Sequence, residues 1–429
     1  MKLHDERKPA NTPHSNPTKE DTMTKVVVVG SGGREHALAD VISRDANVVI
    51  TPGNPAIPNS IPTSPLEIDA DLYVIGPEAP LVEGLADQLR QQGKLVFGPG
   101  ADGAQLEGSK AWMKDLVMEA GVPTADHGTF TDVNQAKSYL ETMAAPYVIK
   151  TDGLAAGKGV LVTNSLDDAK VAVNEYLSGS AFGGAGEKIV IEEGLVGPEI
   201  SILAISDGKK AVALSPAQDF KRLHNNNFGP NTGGMGAYSP VPIATPSLVD
   251  DVLNNFIQPT ITELRRRGID YRGVLYAGLM ITEDGPKLLE YNVRFGDPEA
   301  QVVLPRFESS LTDLLLEASR GDIRTTPEFT SDAMVTVVCA SEGYPSSPRV
   351  GDRIRGIEEA TNTGGVEKVY AAGIKLDEEQ QPVTAGGRVL AVTGRGNTIE
   401  EARQNAYTGA GKIHWEGLHK RQDIAEAIK

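Results

Sequence analysis

Residues Lys25–Gly30 (KVVVVG) run straight into a glycine turn at Ser31–Arg34 and then into a helix expected over Glu35–Ser43. A continuous β-branched strand of this kind is buried on both faces, so helices must cover both. The feature therefore commits the N-terminal part to a parallel, doubly wound sheet. The alternation continues with strands expected at Val48–Ile50, Asp71–Gly76 and Leu95–Phe97 and a helix at Leu81–Gln92. Residues 51–70 are Pro-rich and show no helical period.

From Ser109 the pattern changes. Helices are expected at Lys110–Ala120, Asp167–Leu177 and about 247–267, and strands at Tyr147–Lys150, Ile189–Glu193, Glu199–Ser206 and Ala211–Leu214. A long Asn/Gly loop is expected from Asp219 to Tyr238, and a strand pair at Gly273–Ile281 and Pro286–Asn292 turns at TEDG. Short strands at Ala333–Ala340, Val366–Ala372 and Gly387–Thr393 and a helix near 398–414 close the chain.

Several function classes are disfavoured early. Lys plus Arg total 41 against 58 Asp plus Glu, a formal charge of −17, which argues against nucleic acid as a partner. A single cysteine, Cys339, excludes an intrachain disulfide and a cysteine-cluster metal site, and it fits a reducing compartment. No stretch approaches the roughly 18 apolar residues of a membrane span. Residues 1–22 are polar and lack the apolar region of a signal peptide. They are expected to be a disordered extension of a cytoplasmic chain, with Met23 an alternative start.

Three motifs carry chemistry. GSGGRE can offer backbone N–H groups to an anion at a helix N-terminus. Glu35 replaces the third glycine of a dinucleotide fingerprint, and the second strand ends in Ile50-Thr51-Pro52 without a ribose acid, so NAD is disfavoured. A tight turn without ligand is the plain alternative. In TDGLAAGKGV, which follows the strand lysine Lys150, Gly153, Gly157 and Gly159 permit close backbone approach and Lys158 supplies a cation, as a triphosphate lid requires. Lys110 is a second phosphate candidate. In LLEYN, Glu290 and Asn292 are two apart on a strand and share one face. An acid and an amide oxygen there suit a hard cation shared with phosphate, and Arg294 beside them could neutralise developing charge. Two polar residues on a solvated face are the alternative.

Together these segments resemble one family closely, the phosphoribosylamine–glycine ligases (glycinamide ribonucleotide synthetases), ATP-grasp enzymes of purine synthesis. The resemblance spans about 24–429 and rests on VVGSGGREHALA, GPEAPLV, QLEGSKAWMK, KTDGLAAGKGV, IVIEEGLVGPEIS, GPNTGGMGAYSP, LYAGLMI and LEYNVRFGDPEAQ, and SEGYP and GGRVLAVTGRG in the last domain fit as well. It implies an α/β and α+β multidomain fold. A doubly wound pre-ATP-grasp domain at 24–109 follows the extension at 1–23. An ATP-grasp domain at 110–325, with a lid at about 124–195, precedes a small β-rich domain at 326–429.

The implied reaction joins glycine to 5-phosphoribosylamine through a glycyl phosphate, with ATP and Mg2+ or Mn2+ and no protein nucleophile. By resemblance, Lys110 and Lys150 look like the ATP phosphate lysines, and Gly153, Gly157, Lys158 and Gly159 the lid. Glu192, Glu193 and Leu195 resemble the adenine hinge and Glu199 the ribose acid. Glu290 and Asn292 resemble the metal ligands. Arg294, Asp297 and Lys221 look like the catalytic groups. Asp219, Gly236 and Gly296 would border glycine, and Gly32, Gly33, Arg34, Glu35 and Glu78 the amine substrate. The amine is a labile glycosylamine, so a transient handoff from the upstream purine enzyme is conceivable. The sequence departs from the family at Phe220, at Thr151 and in a shortened 52–74 segment. Another ATP-grasp ligase and a non-catalytic nucleotide-binding protein are the alternatives.

Overall fold

The computed structural model describes residues 23–154, 159–178, 187–426 and 428. The extension expected at 1–23 thus lies, apart from Met23, outside the described residues, as do Gly157 and Lys158.

Asn47–Pro52, Lys25–Gly30, Leu72–Ile75 and Val96–Phe97 form, in that order, a four-stranded parallel sheet. Val26, Val27 and Val28 are fully buried, as an uninterrupted apolar strand requires. The helix expected at Leu81–Gln92 is two helices, Glu78–Val82 and Leu85–Gln91. Gly84 separates them with φ of +84°, a left-handed conformation that ends a helix.

Two antiparallel four-stranded sheets follow. One orders His127–Phe130, Ile189–Glu193, Tyr147–Thr151 and Val160–Thr163. The other orders Ala211–Ala213, Glu199–Asp207, Arg272–Thr282 and Gly285–Asn292. The first has its own small core, including Leu140, Ile149, Val173 and Ile191, while a single larger core runs through the rest of the chain.

The expected Asn/Gly loop is instead largely strand. Gln218–Asp219 and Gly236–Ser239 belong to a five-stranded antiparallel sheet with Ala333–Ala340, Arg388–Gly396 and Val366–Ala371. Arg222–His224 and Phe228–Asn231 form a separate hairpin. The helix expected at 247–267 contains a π-helical turn at Leu253–Ile257. Pro259 lies just beyond it; its ring lacks an N–H and would collide with the carbonyl of Asn255 in a regular α-helix, so the turn widens. Among the described residues no helix is long and apolar enough to cross a membrane.

The first glycine turn has a specific packing reason. Glu35, 2 % exposed, folds back so that its carboxylate accepts the Gly32 N–H at 2.7 Å. This is the glutamate half of a capping box. A Cβ on Gly76 would lie 2.2 Å from Glu35 Oε1, and one on Gly30 would lie 2.4 Å from its Cγ. The glycines make room for a buried carboxylate that caps its own helix. Gly76→Ala should therefore lower the unfolding free energy by roughly 1–3 kcal/mol through overpacking. Denaturant melts of the two proteins test this, and equal midpoints would contradict it.

Candidate active site

A cavity of about 690 Å³ opens where the sheets meet. Its wall draws Arg34 and Glu78 from the parallel-sheet region and Lys110 from the helix Lys110–Glu119. The antiparallel sheets add Lys150, Glu192, Glu290 and Asn292, and Tyr344 and Arg388 come from the C-terminal part. Val148, Val160 and Val162 give one stretch of wall an apolar surface, beside Glu193, Gly194 and Leu195.

The ionic contacts are dense. Lys150 Nζ lies 2.9 Å from Glu192 Oε1, and Lys114 Nζ lies 3.0 Å from Oε2. Burial opposes ionisation of Glu192, but the two lysines outweigh it and hold the carboxyl below its ordinary range. Burial pushes Lys114 down to about 8, with Glu192 opposing. Lys110 Nζ donates to the Gly153 carbonyl at 3.1 Å, and burial lowers its pKa as well.

Glu290 follows a β-bulge in the Gly285–Asn292 strand and stands opposite Gly278. Its burial is outweighed by Lys221, Lys150, Lys110 and Arg294, so it remains an ionised carboxylate. Arg294 donates to Glu107 Oε1 at 2.8 Å, to Glu78 Oε2 at 3.2 Å and to Asn292 Oδ1 at 3.2 Å. Burial resists its charge, and Glu107 and Glu78 restore it, raising the guanidinium pKa. Burial raises the Glu107 pKa despite Arg294. Glu78 is held low, because Arg294 and Arg34 overcome its burial.

A second cluster lies beside these groups. Lys221 pairs with Glu199 and stands 4.0 Å from Asp219. Burial pushes Asp219 up to about 8 against the pull of Lys221, with Glu299 and Glu199 adding to the rise. Tyr276 donates to Glu299 Oε1 at 2.6 Å and shares a hydrogen bond with Ser201 at 2.7 Å. Arg388 donates to Asp297 Oδ2 at 2.9 Å and to its backbone carbonyl at 2.6 Å, and it holds the Asp297 carboxyl low against burial.

Most of the expected site residues meet in this one cavity: Lys110, Lys150, Gly153, Gly159, Glu192, Glu193, Leu195, Glu199, Asp219, Lys221, Glu290, Asn292, Arg294, Asp297, Arg34 and Glu78 all line it. Gly32, Gly33, Glu35, Gly236 and Gly296 are not part of the described wall. Glu35 occupies the helix N-terminus that the sequence offered to a substrate anion. Gly236 sits in a strand where a Cβ would be 2.7 Å from the Thr336 carbonyl, and a Cβ on Gly296 would be 2.3 Å from Glu299 Oε2. Phe220, an unusual residue by sequence, packs on Tyr238 with Arg421 over its ring.

Sequence reasoning passed over Lys114, Glu107, Tyr276, Glu299 and Arg388. All five stand inside quoted motifs, and Lys114 lies one helical turn from Lys110, a spacing that shares a face.

Comparison with known proteins matches three domain models described as phosphoribosylglycinamide synthetase. The N domain matches residues 24–107, the ATP-grasp (A) domain 108–300 and the C domain 334–427. A phosphoribosylamine–glycine ligase from Nostoc sp. is 46 % identical over 425 residues, covering 94 % of this chain and 99 % of its own. The Escherichia coli K12 protein of that name is 44 % identical, covering 93 % of this chain and 97 % of its own. The crystal structure of a phosphoribosylamine–glycine ligase from Thermotoga maritima superposes with a TM-score of 0.82 at 35 % identity, over 93 % of this chain and 100 % of that one.

The raised Asp219 pKa has a consequence for stability. The unfolded carboxyl ionises near its ordinary value of 3.8, whereas the folded one holds its proton to about 8. Its contribution is complete below the lower value and is lost as pH rises to the upper. Relative to Asp219→Asn, the wild-type chain should lose stability across that interval and no further above it. Denaturant midpoints of both proteins against pH check this, and parallel curves would contradict it.

Proposed function

The chain belongs to the phosphoribosylamine–glycine ligase family, which performs ATP-dependent glycine ligation in purine biosynthesis, and we propose that its cavity joins glycine to 5-phosphoribosylamine through a glycyl phosphate. The observation that carries this reading is one cavity walled by phosphate-type lysines, an ionised strand-end carboxylate and an ion-paired guanidinium.

A carboxylate is a poor electrophile until one oxygen becomes a phosphate leaving group. In the proposed sequence a glycine carboxylate oxygen attacks the γ-phosphorus of ATP, and ADP leaves. The amine then attacks the glycyl carbon and loses a proton, and inorganic phosphate departs with that oxygen. Both steps require positioning and charge neutralisation more than covalent help.

Lys110 and Lys150 are assigned to the ATP phosphates, with adenine against Val148, Val160 and Val162 and the hinge at Glu193–Leu195. Lys158 and Gly157 belong to the proposed lid but lie outside the described residues. Family members bind a divalent metal, and the residues here fit Mg2+ or Mn2+ through Glu290 and Asn292. Glu290 is kept ionised, and among the described residues no group of three or more acids, histidines or cysteines forms a complete cage. Glu290 and Asn292 would hold a hard ion, which when bound would neutralise phosphate charge. Arg294, Asp297 and Lys221 are assigned to the transferring phosphoryl and glycyl groups, with Asp219 beside them. Arg34 and Glu78 border the acceptor amine.

The purified protein with ATP and Mg2+ should release ADP only when glycine and 5-phosphoribosylamine are both supplied. ADP formation that needs neither would overturn the substrate assignment. Glu290→Gln should cut turnover at least tenfold at ordinary Mg2+, comparable to losing one stabilising group at a transferring charge. Wild-type turnover in that variant would remove Glu290 from the metal site.

A further inference from the structure

Lys114 is fully buried and is not part of the described cavity wall, yet it stands one ion pair behind it. Its ammonium donates to Thr124 Oγ1 at 2.7 Å as well as pairing with Glu192, and the Thr124 hydroxyl donates in turn to the Leu288 carbonyl at 2.7 Å. The other oxygen of Glu192 pairs with Lys150, whose ammonium also donates to the Leu289 carbonyl at 3.3 Å.

The placement of these groups is informative. Lys150 and Glu192 belong to adjacent strands of one sheet, Tyr147–Thr151 and Ile189–Glu193, and sit diagonally across the pairing. That sheet has a core of its own. Lys114 stands outside it on the helix Lys110–Glu119, and Thr124 precedes the sheet's first strand, His127–Phe130. The Lys114–Glu192 pair therefore ties the small sheet to the main body close to where the chain enters that sheet.

Charge balance gives the tie a function. One carboxylate shared by two ammonium groups leaves a net positive cluster. With Lys150 as its only partner, Glu192 would neutralise the cation that faces the cavity. A charge with a buried carboxylate to itself has less left to offer a phosphate. We propose that Lys114 is a positioning residue for ATP: by holding Glu192 from behind, it fixes Lys150 at the cavity wall and keeps that ammonium's charge available to the nucleotide phosphates. This inference rests on the assignment of Lys150 to the ATP phosphates.

The test is the affinity of the full chain for ATP with Mg2+ by titration calorimetry, alongside steady-state KM values. Lys114→Met should weaken ATP binding about tenfold, the coupling expected within one ion-pair network, and leave the KM for glycine unchanged. Lys114→Arg should restore most of the loss. In a Lys150→Met background, Lys114→Met should add no further loss, because the two act through one carboxylate. A merely structural role would instead shift ATP and glycine together and persist in that background. Wild-type ATP affinity in Lys114→Met, or a full further loss on top of Lys150→Met, would overturn the proposal. If Lys150→Met itself binds ATP normally, the phosphate assignment fails and the inference falls with it. Should Lys114→Met not fold, Thr124→Val removes only the hydroxyl that orients the ammonium. It should weaken ATP selectively by a smaller factor, and unchanged ATP affinity there counts against the proposal.

Discussion

One part-buried guanidinium organises the centre of this molecule. Arg294 emerges just beyond the Gly285–Asn292 strand and is held by Glu107, Glu78 and Asn292. Glu78 opens a helix of the parallel-sheet region and Glu107 lies in the short helix before Ser109, so the arginine gathers three segments distant in sequence. A charge largely withdrawn from water needs such partners, since leaving it unpaired there is costly. The same requirement repeats around the cavity. Glu192 stands between Lys114 and Lys150, Lys221 pairs with Glu199, and Arg388 covers Asp297. Acids and bases alternate along the wall, and the surrounding cations Lys221, Lys150, Lys110 and Arg294 keep Glu290 ionised.

That arrangement suits phosphoryl transfer. The wall presents cations where phosphate charge must be neutralised and a carboxylate where a divalent ion would be shared with phosphate. The apolar strip of Val148, Val160 and Val162 lies on the small sheet that carries Lys150, so base and phosphate contacts would be delivered by one element. Tyr276, fixed between Ser201 and Glu299, gives the other flank a rigid floor.

Much of this was legible in the sequence because it is local. The valine run at 26–29 reads as a buried strand, and the two-residue spacing of Glu290 and Asn292 puts both on one face, as the cavity confirms. What was not legible depends on distant partners. The stretch 219–238 reads as a polar loop, yet Gly236–Ser239 becomes a strand by pairing with Ala333–Ala340 far along the chain. Lys114 carries no signal of its own, because nothing near it in sequence announces the burial of Glu192. Glu35 is an intermediate case: Gly32 and Glu35 have capping-box spacing, but the glycines beside them drew attention to a ligand instead of to the carboxylate they accommodate.

The central claim is that the glycine carboxylate is phosphorylated before the amine attacks, and the fate of its oxygen tests this directly. With glycine labelled by oxygen-18 in both carboxylate positions, one turnover should carry one labelled oxygen into the released inorganic phosphate and leave the other in the product amide. Mass spectrometry of the phosphate reads this. Unlabelled phosphate accompanying a completed ligation would show that activation takes another route and would contradict the assignment of Lys110, Lys150 and Arg294 to a glycyl phosphate site.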